Sequence, residues 1–142
     1  MKQEEVQEKL IMYQLLQKHL EELRNQGFIL ERKYLELEAT RQAVNDIKSA
    51  GATRNEAIIP LGSGFFAYGK LADSSRMLVD VGADVLVNKN IADSESAIEE
   101  KKKDIERVVQ QLQAEMNGVV QQINAIGMVL EKALQEMQGK QP

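Results

Sequence analysis

From Ile91 onward the apolar residues recur at alternating steps of three and four. The stripe reads Ile91, Ile98, Ile105, Val109, Leu112, Met116, Val119, Ile123, Ile126, Leu130, Ala133 and Met137. Polar Glu95 and Lys102 fill the two early positions it skips. A repeat averaging 3.5 residues keeps one narrow face on a partner and specifies a supercoiled helix. At 1.5 Å per residue this helix runs roughly 65–70 Å. Ser96-Ala-Ile-Glu99 fits a capping box for its start, with Asn90 and Ser94 as rival caps. Gly139 and Pro142 mark a frayed end.

The first third carries a matching stripe: Val6, Leu10, Tyr13, Leu16, Leu20, Leu23, Gly27, Leu30, Tyr34, Leu37, Arg41 and Val44. The step Leu10-Tyr13-Leu16 is a local stammer. Gly51 stands where a helix C-terminus is expected. If the chain folds back on itself, the numbers of facing positions should have a constant sum. Val44 with Ile98, Leu37 with Ile105, Leu30 with Leu112, Leu23 with Val119 and Leu16 with Ile126 share one sum. Leu20 with Ile123, Tyr13 with Leu130, Leu10 with Ala133 and Val6 with Met137 share the next integer. The two stripes therefore predict an intramolecular antiparallel coiled coil with both chain ends at its far tip. In this register Gly27 faces Met116, and Arg41 lies near Lys102, a pair relieved by reaching toward Glu38 or Glu106.

Between the helices the composition turns to β-branched and aromatic residues, glycine and proline. Glu56–Leu61 and Phe65–Leu71 read as strands joined through Gly62-Ser63-Gly64, whose glycines allow positive φ. Arg76–Val81 and Asp84–Asn88 read as a second pair, joined by Gly82-Ala83 in a type II′ turn. Asp73-Ser74-Ser75 is the turn between hairpins, and Pro60 suits an edge or strand end. In the second hairpin this turn puts Met77, Val79, Val81 and Leu86 on one side, and Leu78, Val85 and Val87 on the other. Both sides are then substantially apolar, more than one thin helical pair can cover. The insert reads as an assembly joint, with Ile58, Ile59, Leu61, Phe65, Phe66, Tyr68, Leu78, Val79, Val81, Val85, Leu86 and Val87 as contact residues.

Three segments follow: 1–50, an N-terminal coiled-coil helix; 51–90, two β-hairpins forming an oligomerisation platform; and 91–142, a C-terminal coiled-coil helix with a short frayed tail. The class is α+β, mainly α: a long antiparallel two-helix coiled coil joined by two hairpins that form a β-barrel platform on oligomerisation.

Composition narrows the chemistry. The 142 residues include no cysteine and one histidine, so disulfides, thiolate catalysis and a multi-histidine metal site within one chain are excluded. His19 falls just off the stripe. A net charge of −4 argues against a nucleic-acid partner, and Lys101-Lys102-Lys103, flanked by acids, reads as a solvated helix face. Gly62-Ser-Gly64-Phe-Phe-Ala67 formally matches the dinucleotide pattern G-x-G-x-x-A, but no helical period follows to receive a pyrophosphate. Asp80 and Asp84 are far short of a calcium loop. No nucleophile–base constellation is visible, so neither an enzyme nor a cofactor is expected. The polar N-terminus excludes a signal peptide, and no run is long enough to span a membrane; the cytoplasm is the default compartment.

The tip carries more apolar residues than the stripe needs: Ile11, Met12 and Leu15 on the first helix, Met128, Val129 and Leu134 on the second. With Val6, Leu10, Tyr13, Leu130 and Met137 they form a candidate binding surface. Methionines there favour promiscuous contacts. Phe28, Ile29 and Leu35, off the stripe in mid-helix, support the blander reading that such residues only broaden packing.

Long helix, two hairpins, long helix, with Ile59-Pro-Leu-Gly-Ser-Gly-Phe65 and Leu78-Val-Asp-Val-Gly-Ala-Asp84 in the middle, resembles the α class of the prefoldin family. The likeness covers nearly the whole chain, and the missing tail extensions resemble the archaeal type. It implies a hetero-hexamer of two α-class and four β-class subunits, with hairpins in a β-barrel platform and coiled coils hanging from it. It also implies an ATP-independent holdase whose tips grasp non-native proteins and deliver them to a group II chaperonin. The rival reading is a structural coiled-coil scaffold or tether with no general binding of unfolded proteins.

Overall fold

The computed structural model describes residues 2–50 and 56–139. In chain order these form α1 (Gln3–Ala50), β1 (Glu56–Gly62), β2 (Phe65–Lys70), β3 (Arg76–Asp80), β4 (Leu86–Asn90) and α2 (Ile91–Gly139). Neither helix contains proline, and both are rich in Leu, Glu, Gln, Lys and Ala, the residues that lose least on entering a helix. Glu4 and Glu5 in the first turn of α1, and Lys48 in its last, complement the helix dipole. Gly51 lies outside the described residues. The start of α2 is set by Asn90, not by the Ser96 box. Its Oδ1 accepts the Asp93 N–H at 2.7 Å, and the Ser94 hydroxyl donates to the Asn90 carbonyl at 2.8 Å. Asn90, the last residue of β4, is itself a good cap, so the helix nucleates before Ser96 is reached.

The chain divides into two units: Met1–Lys33 with Ile105–Pro142, and Tyr34–Asp104. In the first, α1 and α2 run antiparallel, with Tyr13 beside Gly127 and Gly27 beside Leu112. Leu23, only 3% exposed, packs with Leu112 and Val119; Leu16, Leu20, Leu30, Met116 and Ile123 flank this core. The nearest side chain to Gly27 is Leu112 rather than the expected Met116. Leu130 and Ala133 continue the buried stripe, whereas Leu10 and Met137, at its ends, stay exposed. Burying each such aliphatic side chain stabilises by about 1.5–3 kcal/mol, so cohesion is spread thinly along the seam.

The second unit holds the other ends of the helices and both hairpins. Val44 and Ile98 are buried. The skipped seam positions are occupied by ion pairs: Lys48 Nζ lies 3.4 Å from Glu95 Oε1, and Lys102 contacts Glu38. Lys102 is 8% exposed, which corrects the reading of the lysine run as a solvated face. Its place in the heptad, not its charge, decides where it points. Its ammonium sits 3.6 Å from Glu99 Oε1 and 5.2 Å from the Tyr34 ring centroid, while Arg41 Nη2 reaches the same Glu38 at 3.3 Å. The expected crowding of Arg41 and Lys102 is thus relieved through Glu38, whose pKa is lowered by the Lys102 and then the Arg41 hydrogen bonds. The Lys102 pKa is raised by the same contact with Glu38.

β1 and β2 pair antiparallel, from Glu56 opposite Lys70 to Gly62 opposite Phe65, with a bulge at Leu61. Ser63 (φ 54°) and Gly64 (φ 81°) form the two-residue loop, and Gly62 is also at positive φ (104°). This loop leads straight into β2, so no helix N-terminus follows Gly64 and the dinucleotide reading has no physical basis. β3 and β4 pair with Val79 opposite Val87 and Asp80 opposite Leu86. This corrects the expected turn. Gly82 N–H is held by Asp80 Oδ1 at 2.8 Å, Val85 N–H donates to the Gly82 carbonyl, and Ala83 and Asp84 take positive φ. The turn therefore centres on Ala83-Asp84, one residue later than Gly82-Ala83, and β4 begins at Leu86. A one-residue slip exchanges faces: Val87 joins Met77 and Val79, while Leu86 joins Leu78.

Candidate functional site

Exposed apolar side chains form two candidate surfaces, and Phe28, Ile29 and Leu35 in mid-helix, expected to broaden the packing, are left exposed as well. The first lies in the first unit, where the start of α1 meets the end of α2. A seam with a 3.5-residue period covers only one stripe of each helix, so positions 11, 12 and 15, and 128, 129 and 134, fall outside it. Ile11, Met12, Leu15, Val129 and Leu134 are exposed, Leu15 at 61%, and Met128 is the most open at 72%. Leu10 and Met137 are exposed with them. The other expected tip residues lie deeper: Val6 and Tyr13 are half-buried, and Leu130 is buried in the seam. The expected set is thus two layers, an inner one closing the coil and an outer one exposed. The outer layer offers dispersed apolar area, worth about 25 cal/mol per Å² removed from water, and no directional polar group.

The second surface is on the hairpins. Antiparallel partners share a face, so Ile58, Phe66 and Tyr68 lie on one side of the first hairpin and Ala57, Ile59, Ala67 and Gly69 on the other. Ala57, Ala67 and Gly69 are half-covered, and Ile59 leans over Gly69, its Cδ1 only 2.6 Å from where a Gly69 Cβ would stand. The opposite face is bare, Tyr68 reaching 94% exposure. Leu61 and Phe65, at the loop, are also exposed. The second hairpin repeats the arrangement, with Met77 and Val79 half-buried and Leu78 and Leu86 exposed. Val81 and Val85 in the loop are exposed, as is Val87.

Polar groups are arranged for structure. Asp73 accepts the Ser75 hydroxyl, the Ser75 N–H at 2.8 Å and Arg76 Nε at 2.7 Å. Those bonds, the Ser75 hydroxyl foremost, hold its pKa at about 2. His19 Nε2 lies 3.3 Å from Glu115 Oε1 across the helix pair, on the surface. Among the described residues no group of three or more His, Cys, Asp or Glu could hold a metal ion. No helix among them is long and apolar enough to cross a membrane.

A family model described as "Prefoldin: Prefoldin subunit" matches residues 14–136. The chain belongs to the prefoldin family. Among curated prefoldins, "Prefoldin subunit alpha" of Archaeoglobus fulgidus is 34% identical over 73% of this chain and 75% of its own length. "Prefoldin subunit alpha" of Pyrococcus horikoshii is 26% identical over 91% of this chain and 84% of its own length. Among solved structures, a chain in "filamentous PFD from Methanocaldococcus jannaschii" superposes with a TM-score of 0.71 at 18% identity, covering 84% of this chain and 95% of that one. That likeness shows the prefoldin fold of two long helices and two small hairpins. Membership places the chain in a chaperone-type family, and the relatives it resembles are α subunits. Val108 and Val120, also exposed, are apolar positions that the stripe did not single out; their place off the three-and-four repeat was the available signal.

Proposed function

We propose that this chain is a subunit of an ATP-independent holdase, whose coiled-coil tip captures non-native proteins and delivers them to a group II chaperonin. The observation that carries this reading is the outer apolar layer of Leu10, Ile11, Met12, Leu15, Met128, Val129, Leu134 and Met137, which is left 36–72% exposed. Weak contacts of this kind hold a client only when several tips act together, so avidity supplies the affinity. Flexible methionine side chains adapt to unrelated sequences. The bare hairpin faces are the surfaces that join it to β-class subunits in an α2β4 hexamer, closing their strands into a shared platform. The acidic balance, −4 overall, keeps the exposed tips soluble. The cytoplasm is the compartment in which such a complex would work.

The test dilutes a denatured protein from guanidinium and follows aggregation by light scattering, without nucleotide. It compares the assembled complex with one whose α-chain tips are trimmed outside Leu15 and Val129. Suppression by the intact complex, weakened by trimming an assembly that remains whole, is the expected result. An intact complex that never suppresses scattering would put the scaffold reading in its place.

A further inference from the structure

The chain has no cysteine, so the side chain that usually meets peroxides first is absent, and methionine is the next softest. The methionines are not evenly placed. Met12 (55% exposed), Met128 (72%) and Met137 (39%) all stand open at the tip. Met116 is packed against the Leu23 core, and Met77 lies on the covered face of the second hairpin. Met12 and Met128 belong to the same level of the coil, since a Cβ on Gly127 would lie 3.5 Å from Tyr13 Cε2. Met12 and Met128 therefore put two accessible thioethers at one level of the surface assigned to clients.

We propose that Met12 and Met128 are an oxidation site for hydroperoxides, and that their conversion to sulfoxides turns client capture down. In each step the thioether sulfur attacks the distal peroxide oxygen. The O–O bond breaks, an S=O bond forms, the sulfur is oxidised by two electrons, and hydrogen peroxide leaves as water. A sulfoxide is polar and strongly hydrated, so it removes the apolar contact that the side chain offered. The fold stays intact because neither residue is in the seam, and reductases of the sulfoxide-reducing class can reverse the change. The inference rests on the tip reading proposed above.

The experiment treats the assembled complex with hydrogen peroxide, maps each methionine by peptide mass spectrometry, and measures aggregation suppression before and after. Met12 and Met128 should oxidise several-fold faster than Met116 and Met77, and suppression should fall about threefold or more, returning after enzymatic reduction. The double variant M12L/M128L, compared only with itself, should lose much less suppression to peroxide than the parent, whatever its starting level. Equal oxidation of Met116 overturns the site. Selective oxidation with unchanged suppression, in a complex that tip trimming does weaken, overturns the switch alone. If neither peroxide nor trimming alters suppression, the tip reading falls and takes the switch with it.

Discussion

Replacing the three interior helix glycines, Gly27, Gly118 and Gly127, with alanine should stabilise the protein. None has a positive φ, so each already has a backbone that alanine favours. A Cβ on Gly27 would lie 3.5 Å from Leu112 Cδ2, and one on Gly127 would lie 3.5 Å from Tyr13 Cε2, both ordinary van der Waals contacts. A Cβ on Gly118 meets nothing within 4 Å. Interior glycine costs a helix about 0.8–1 kcal/mol relative to alanine, chiefly through the freedom it keeps when unfolded. No two of the three share a neighbour, so the gains should add to about 2–3 kcal/mol. For a chain of this size that raises the midpoint by roughly 6–10 °C. Far-UV circular dichroism melts at matched protein concentration provide the readout, because assembly also stabilises the folded form. Gly118→Ala isolates propensity; Gly27→Ala and Gly127→Ala test the helix spacing. A lower midpoint for Gly27→Ala with a higher one for Gly118→Ala would show that the helices approach more closely than described. A lower midpoint for all three would refute the reasoning.

Leu23→Ala should act in the opposite direction, costing about 2–3 kcal/mol, the low end for a buried leucine because a two-helix seam admits water into the gap; urea titration checks it. Asp73→Asn should change acid stability. With its pKa held at about 2 against an ordinary 3.8, the Asp73 carboxylate contributes stability above 3.8 that is lost as the pH falls through about 2. The difference in melting temperature between parent and variant should therefore shrink from pH 4 to pH 2, and a constant difference would contradict it. Phe66→Lys with Tyr68→Lys places charges on the bare face of the first hairpin. Sedimentation velocity should show a smaller assembly with unchanged helicity.

The helical seam was legible because the period is long and nearly unbroken. Of the positions named, only Leu10 and Met137, at its ends, are exposed, while Leu23, Val44, Ile98, Leu112, Val119, Leu130 and Ala133 are buried. Both hairpins were legible from their glycines. The register of the second was not, because Gly82 suggests a turn centred on itself. The side chain of Asp80 captures the Gly82 N–H, and the turn moves to Ala83-Asp84. That single step decides whether Leu86 or Val87 faces a partner. A run of three lysines looks solvated, but the heptad position of Lys102 places it in the seam, where it is buried against Glu38. At the tip, the stripe separated Ile11, Met12 and Leu15 from the seam correctly. Leu130, however, was read as both seam and surface, and only its burial resolves which it is.

The most direct test of the central claim uses the absence of cysteine. Single cysteines at Leu15 and Leu134 in the tip, and at Phe66 on the hairpin, carry a photo-crosslinker in the assembled complex, which is then mixed with an unfolded client and irradiated. The account predicts client adducts from Leu15→Cys and Leu134→Cys with two unrelated clients, and adducts to neighbouring subunits from Phe66→Cys. Client adducts from Phe66→Cys with none from the tip positions would contradict it.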